Sequence, residues 1–284
     1  MSYNRFIIER KLREYLEEDC HFIDVSSRFI PESAQNSAKI VAKSNGYVSG
    51  LEELEILFGI LKIETNFIKK DGEQFKNGDI IVELKGNARN ILLGERLGLN
   101  LVTHMSAITT TTKKFVKVIK ASGKNVKIAC TRKTIPGLRI FEKKAVDLGG
   151  GEVHRFSLDD MILLKDTHLK YYNGDVVRLL SDVKKTASFS KKIEIEIEKP
   201  EDILTAARNG ADIIMVDNMS PDAVKDAINL LKKNNLREKV TIEVSGGITQ
   251  DNIVNYLMAG PDIISTSELT QFPSEKVDFS LRFD

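Results

Sequence analysis

Two rhythms of hydrophobic and polar residues divide this chain of 284 residues. Near the start, Arg5–Glu18 sets Phe6, Ile7, Leu12, Tyr15 and Leu16 at near-helical spacing among charges, which predicts an amphipathic helix. A loop-like stretch with Asp24, Ser26, Ser27 and Pro31 follows. Ala38–Lys43 predicts a strand turning at Asn45-Gly46, a hairpin signal. Leu51–Phe58 predicts a short helix, and Ile60–Ile68 and Asp79–Leu84 predict strands separated by Asp71-Gly72 and Asn77-Gly78. Arg89–Ser122 has a helical pattern. The run Thr109–Thr112 predicts a break into two helices, because β-branched side chains are stiff in a helix.

After Gly123 the rhythm changes. Short apolar strands are expected at Val126–Thr131, Met161–Asp166, Ile193–Glu198, Ile213–Asn218, Val240–Ser245 and Ile263–Thr266. Helices are expected between them, at Arg139–Leu148, Val176–Thr186, Glu201–Asn209, Pro221–Lys233 and Gln250–Met258. Such alternation implies parallel strands with right-handed crossovers, either an open doubly wound sheet or a barrel. Ile193–Glu198 discriminates between them, because it reads IEIEIE. A strand covered by helices on both faces is apolar on both. One carrying Glu194, Glu196 and Glu198 on one face fits a barrel whose interior is polar near its mouth. No dinucleotide-type glycine fingerprint follows any strand. The expected fold class is therefore α/β, with a six-stranded, incomplete barrel in the second half.

Composition narrows the function classes. Lys+Arg 42 against Asp+Glu 41 leaves a net charge of +1, without the basic excess of a nucleic-acid-coating surface. Two widely separated cysteines, Cys20 and Cys130, make neither a disulfide framework nor a zinc set. The charged start lacks the apolar core of a secretion signal, and no apolar run approaches the roughly 20 residues that span a bilayer. A cytoplasmic protein with no membrane and no nucleic-acid partner is expected.

In barrels the chemistry sits where strands end. Here those ends carry Thr131-Arg132-Lys133, His154-Arg155 ahead of Lys165-Asp166, Glu196 and Glu198, Asp217-Asn218, Ser245-Gly246-Gly247, and Ser265-Thr266-Ser267. Ser245, Gly246 and Gly247 before a helix suggest a phosphate cradle, since glycines admit an anion close to free N–H groups. Arg132, Lys133, Arg155 and Lys165 form a cationic set suited to carboxylates and phosphates. Singly, each would pass for solvated surface charge. Glu196 and Asp217 on successive strands suit acid–base work, Mg²⁺, sugar hydroxyls or an internal ion pair with a lysine. His154 follows Gly149-Gly150-Gly151, which itself suits tight packing.

These residues resemble the quinolinate phosphoribosyltransferase family, the carboxylating nicotinate-nucleotide pyrophosphorylases. The likeness lies in Glu95-Arg96, Leu99-Asn100, Thr131-Arg132-Lys133-Thr134 with Pro136-Gly137-Leu138-Arg139, and Glu142-Lys143 with Ala145-Val146. It continues through Gly149-Gly150-Gly151 with His154-Arg155, Lys165-Asp166 with His168, and Ser245-Gly246-Gly247. The N-terminal half joins in with Asp24, Ala42-Lys43, Gly46, Ser49-Gly50-Leu51-Glu52, Asp71-Gly72 and Gly78-Asp79. The resemblance implies an N-terminal α/β sandwich over residues 1–110, a TIM-like barrel over 111–270, and a tail over 271–284 returning to the first domain.

The resemblance also implies transfer of phosphoribosyl from phosphoribosyl pyrophosphate to quinolinate, releasing pyrophosphate and carbon dioxide, with Mg²⁺. Carried onto this chain, Arg132, His154, Arg155 and Lys165 would bind quinolinate, joined by Arg96 from a partner subunit of a homodimer or higher oligomer. Lys133 would bind phosphoribosyl pyrophosphate and, with Glu196 and Asp217, serve catalysis, the two carboxylates facing the ribose and Mg²⁺. Ser245, Gly246, Gly247 and Ser267 would hold the 5′-phosphate. The last loop departs from the family pattern, with Ser267 in place of glycine, Gln271 in place of histidine, and Glu268 where a phosphate would be repelled. Cys130 before Thr131 is similar to a sister group, the molybdenum-transport-associated pyrophosphorylase-like proteins. Two alternatives therefore stand beside the leading one: the same chemistry on another acceptor, or a non-catalytic sensor of a nucleotide-like ligand.

Overall fold

The computed structural model describes residues 3–284. The first elements are α1 (Arg5–Asp19), β1 (Gln35–Ala42), β2 (Gly46–Tyr47), α2 (Leu51–Ile60), β3 (Glu64–Phe67), β4 (Gln74–Phe75), β5 (Ile80–Asn87) and α3 (Ala88–Ala121). Then follow β6 (Lys127–Cys130), α4 (Arg139–Gly149), β7 (Ile162–Leu164), α5 (Asp166–Tyr171), α6 (Val176–Thr186), β8 (Ile193–Ile197), α7 (Asp202–Arg208) and β9 (Ile213–Asp217). The chain ends with α8 (Pro221–Lys233), β10 (Thr241–Ser245), α9 (Ile253–Ala259), β11 (Ile263–Thr266) and β12 (Phe279–Phe283).

These elements form two compact units that interleave along the chain. One holds the residues up to Lys113 together with Ile135–Gly150 and Pro273–Asp284; the other holds Lys114–Thr134 and Gly151–Phe272. The family resemblance implies sequential boundaries near residues 110 and 270, but α4 groups with the N-terminal residues. Its side chains and carbonyls are committed there. Lys144 Nζ lies 2.8 Å from Glu53 Oε1, Glu142 Oε1 lies 2.9 Å from His104 Nε2, and the Thr109 hydroxyl donates to Ala145 O at 2.8 Å.

The first unit is built on an antiparallel sheet in the order β12-β1-β5-β3. Its buried residues, Ile40, Leu54, Phe58, Val82, Ile91 and Phe279 among them, come from both sheet and helices. The Asn45-Gly46 hairpin does not form: β1 already has β5 on one edge and β12 on the other, and β2 pairs with β4 instead. The Asp71-Gly72 motif has a structural task, since Asp71 Oδ1 accepts the Leu51 N–H at the start of α2.

The threonine run does not break α3. Thr109–Thr112 are buried. Thr109 Oγ1 also lies 2.8 Å from Ser49 Oγ, Thr110 Oγ1 accepts the Tyr47 N–H at 2.9 Å, and Thr112 donates to Ile108 O at 2.8 Å. Each such bond contributes about 1 kcal/mol, more than the few tenths that a threonine costs a helix. Close packing also explains the first glycine of the triplet. A Cβ at Gly149 would lie 2.4 Å from Thr112 Cβ.

The second unit is a parallel sheet of six strands in the order β6-β11-β10-β9-β8-β7, wrapped by helices as an incomplete TIM-like barrel. β8 has the expected polar face. Glu194 is fully buried, the Glu196 side chain is 12% exposed, and Glu198 at the strand end is exposed. The gradient follows the barrel axis from floor to mouth. The short helix α5 was not expected from the sequence; its six residues hold too few apolar positions to show a helical period.

Candidate active site

Parallel register brings the strand-end residues of the second unit into layers. Glu196 on β8 pairs with Met215 on β9, which pairs with Glu243 on β10. One layer closer to the mouth, Asp217 pairs with Ser245. Because side chains alternate along a strand, both layers face inward together. They line a cavity of about 300 Å³. Arg132, Lys133, His154, Arg155, Lys165 and Ser265 complete its polar wall.

The cations crowd one wall of the cavity. Arg155 is 7% exposed and donates to Met161 O at 3.4 Å. Burial, and then the neighbouring Arg132 charge, pull its pKa below the usual guanidinium value. Arg132 Nε is buried without a hydrogen-bond partner. Two guanidinium groups that repel each other, one with an unmet donor, form a site that gains from an entering anion. Lys165 stands at the start of α5, where its backbone N–H donates to His168 Nδ1 at 3.0 Å. Its ammonium lies 3.8 Å from Glu196 Oε2.

Glu196 and Asp217 face the same space. Burial, then the Asp217 charge, push Glu196 above the ordinary glutamate value, with Lys165 opposing. Burial raises Asp217 as well, against the charges of Lys133 and Lys165. The Asn218 side-chain amide donates to Asp217 Oδ2 at 2.5 Å. Two partly buried carboxylates on adjoining strands are oxygen donors of the kind that a hard cation such as Mg²⁺ takes.

His154 sits deeper. Its Nε2 lies 3.0 Å from Glu243 Oε2 and 3.4 Å from Glu194 Oε2, and both glutamates are fully buried. Burial pulls the imidazole pKa down, but the two carboxylates outweigh it and hold the value up at about 10. These three ligand atoms lie within 4.8 Å of one another, close enough for a metal ion. A protonated Nε2 has no lone pair to offer, however, and it already neutralises part of the acidic charge.

At the end of β10, Gly246 has φ +95° and Gly247 φ +61°, values that favour glycine. A Cβ on Gly246 would fall 2.7 Å from the Asn218 backbone nitrogen. The expected helix start is displaced, because α9 begins only at Ile253. Between them the Asn252 side chain holds a turn, accepting the Thr249 N–H at 2.9 Å and donating to Gly247 O at 2.8 Å. The donors near Gly247 are therefore loop amides rather than a helix end. Ser267 opens a 3₁₀ turn, Ser267–Leu269, and does not line the cavity; Ser265, two residues earlier on the inward face of β11, does. Glu268 turns away and accepts the Gln250 backbone N–H.

The model of the quinolinate phosphoribosyl transferase C-terminal domain matches residues 108–282, and that of its N-terminal domain matches residues 24–106. The chain belongs to the quinolinate phosphoribosyl transferase family. It is 43% identical to a probable nicotinate-nucleotide pyrophosphorylase [carboxylating] of Archaeoglobus fulgidus over 86% of this chain and 93% of that one. It is 34% identical to the nicotinate-nucleotide pyrophosphorylase [carboxylating] of Dictyostelium discoideum, over 98% of this chain and 96% of that one. The solved nicotinate-nucleotide pyrophosphorylase of Francisella tularensis superposes with a TM-score of 0.90 at 32% identity, covering 100% of this chain and 98% of that one.

Of the residues that the family resemblance suggested, Arg132, Lys133, His154, Arg155, Lys165, Glu196, Asp217 and Ser245 meet at the one cavity, and Gly246 and Gly247 adjoin it. Arg96 belongs to the other unit, where it lines a cleft with Asn100, His104 and Pro273. Glu243, which lines the cavity, and Glu194, behind His154, were missing from the site inferred from the sequence, while Ser265, read there only as a strand-end residue, lines the cavity in place of Ser267. Glu243 stands two residues before Ser245, and Ser265 two before Ser267. The period of two that places strand residues on one face was the available signal.

Proposed function

We propose that this chain transfers the phosphoribosyl group of phosphoribosyl pyrophosphate to quinolinate, yielding nicotinate mononucleotide, pyrophosphate and carbon dioxide for NAD biosynthesis. The observation that carries this reading is the convergence of Arg132, Arg155, Lys133 and Lys165 with Glu196 and Asp217 on one cavity. A dicarboxylate needs several cations to be bound and desolvated, and Arg132 and Arg155 form the part of the wall where cations are in excess. Departure of pyrophosphate leaves positive character on the ribose, which ionised Glu196 and Asp217 stabilise. The pyridine nitrogen attacks the anomeric carbon. The adjacent carboxylate then leaves as carbon dioxide, its electron pair drawn toward the pyridinium, and a proton takes its place on the ring.

Glu196 and Asp217 would hold Mg²⁺, which would neutralise pyrophosphate charge. His154, fixed by Glu194 and Glu243, contributes a positive charge at the cavity floor. The loop after Ser245 takes the 5′-phosphate. The working form is a homodimer in the cytoplasm, in which each site receives Arg96 of the partner subunit. Among the described residues, no helix is long and apolar enough to cross a membrane.

The test is a panel of pyridine carboxylates with phosphoribosyl pyrophosphate and Mg²⁺, following pyrophosphate and carbon dioxide together. Quinolinate gives both in equal amounts. Nicotinate turns over about tenfold less well or worse, because it leaves a buried cation unpaired at about 1–3 kcal/mol. Equal turnover of the two acids overturns the reading. Pyrophosphate release with a different acceptor supports the sister-group chemistry, and binding without release supports a sensor.

A further inference from the structure

The 3₁₀ turn Ser267–Leu269 is tied to two parts of the site by two buried threonines. Thr266, 6% exposed, donates its hydroxyl to Ile248 O at 2.7 Å and accepts the Glu268 N–H at 3.2 Å. Ile248 directly follows the glycines of the phosphate loop. On the other side Thr270, fully buried, donates its hydroxyl to Lys133 O at 2.8 Å. The turn closes on itself through the Thr270 N–H to Ser267 O at 3.1 Å, and Glu268 clips it to the Gln250 N–H. The Lys133 loop also carries a local bond, the Lys133 N–H donating to Thr131 Oγ1 at 3.0 Å. The loops after β10, β11 and β6 are thus one hydrogen-bonded assembly, and every link lies within the second unit.

We infer that Thr270 is a positioning residue, which holds the Lys133 main chain in register with the phosphate loop so that seating the 5′-phosphate also sets Lys133. The inference rests on the reading above, that this site binds phosphoribosyl pyrophosphate. Its physical basis is the loss of a hydrogen bond that ties two loops together. Lys133 is exposed, and the Thr270 hydroxyl ties its main chain to the turn after β11, whereas the Thr131 contact and the Thr134 hydroxyl bond to Arg132 O are local to the loop. A loop freed in this way loses the ammonium's alignment with Asp217, whose charge already responds to Lys133. Thr270 touches no substrate in this scheme and acts only through Lys133.

The experiment compares Thr270→Val, which removes the hydroxyl at nearly equal volume, with Thr270→Ser, which keeps it. The expected result is that Thr270→Val binds phosphoribosyl pyrophosphate about tenfold more weakly by calorimetry and loses kcat/KM for it by a similar factor. Its KM for quinolinate should stay within twofold, and Thr270→Ser should stay close to wild type. Unchanged affinity in Thr270→Val, or equal impairment in both variants, overturns the inference.

A second measurement uses the wild-type chain and needs no variant. Ribose 5-phosphate, which carries the 5′-phosphate without the pyrophosphate, should slow amide hydrogen exchange at 246–250 and also at 132–134. Protection at 246–250 alone overturns the brace. Protection at neither segment overturns the proposed substrate instead, so the two failures are distinct.

Discussion

His154 Nε2 lies 3.0 Å from Glu243 Oε2, and the histidine backbone is held at φ +50°. A non-glycine residue in the left-handed region costs about 1 kcal/mol and persists only where its surroundings over-determine it. Here the buried carboxylates of Glu243 and Glu194 supply that constraint. They raise the His154 pKa to about 10, which favours the charged imidazole at neutral pH.

This pairing gives stability a defined pH dependence. The folded imidazole has a pKa of about 10 against 6.5 for the unconstrained group. Its contribution is complete below pH 6.5 and is lost as pH rises through 10, at about 1.4 kcal/mol per pH unit between them. Glu243→Gln should cost about 3 kcal/mol at pH 7. Urea denaturation of both proteins at pH 7 and at pH 10.5 checks this. The gap between them should shrink at the higher pH, and a constant gap would show that the ion pair is not its source.

Glu196 and Asp217 are assigned to the developing charge on the ribose. Glu196→Gln and Asp217→Asn should each lower kcat by about 100-fold. The quinolinate dissociation constant, measured by fluorescence or calorimetry, should move less than threefold. A variant that loses quinolinate binding while keeping kcat would place its carboxylate in the wrong role.

The shared-site dimer makes a sharper prediction. Arg96→Ala and Arg132→Ala homodimers should both be nearly inactive, since every site lacks one carboxylate clamp. A mixed dimer has one site with both lesions and one with neither. Co-refolding the two should restore activity, with up to about a quarter of all sites intact when subunits pair at random. No recovery, with subunit exchange confirmed by mass spectrometry, would leave Arg96 a residue of its own unit only.

Two glycines should respond oppositely to alanine. Gly149→Ala places a Cβ 2.4 Å from Thr112 Cβ and should cost about 1–3 kcal/mol. Gly59, in α2, has nothing within 4 Å of the added atom. Gly59→Ala should stabilise by about 0.5–1 kcal/mol, because glycine loses more backbone freedom on folding. Thermal midpoints moving in the same direction would refute the packing argument.

The period-two alternation in Ile193–Glu198 and the repeated strand–helix rhythm after Gly123 were enough to reach a six-stranded barrel. Burial imprints its period directly on side-chain polarity, so such patterns survive in the sequence. The strand-end cations and carboxylates were legible for the same reason, because a barrel brings one end of every strand to one place. Arg96 became a site candidate only through the family resemblance, since no local pattern relates a residue on a helix to a cavity.

Long-range commitments were hidden from local pattern. Thr109–Thr112 read as a helix break, yet α3 continues because Ser49, Tyr47 and Ala145 answer its threonine hydroxyls. Asn45-Gly46 read as a hairpin, yet β12, more than 230 residues away in sequence, takes the strand edge that the hairpin needed. Local periodicity and residue chemistry thus carried the class of fold and the kind of site, because each is written in neighbouring residues. Which edges pair, which buried hydroxyl meets which carbonyl, and how His154 is charged depend on groups far apart in the chain, and those were settled only when folding brought them within bonding distance.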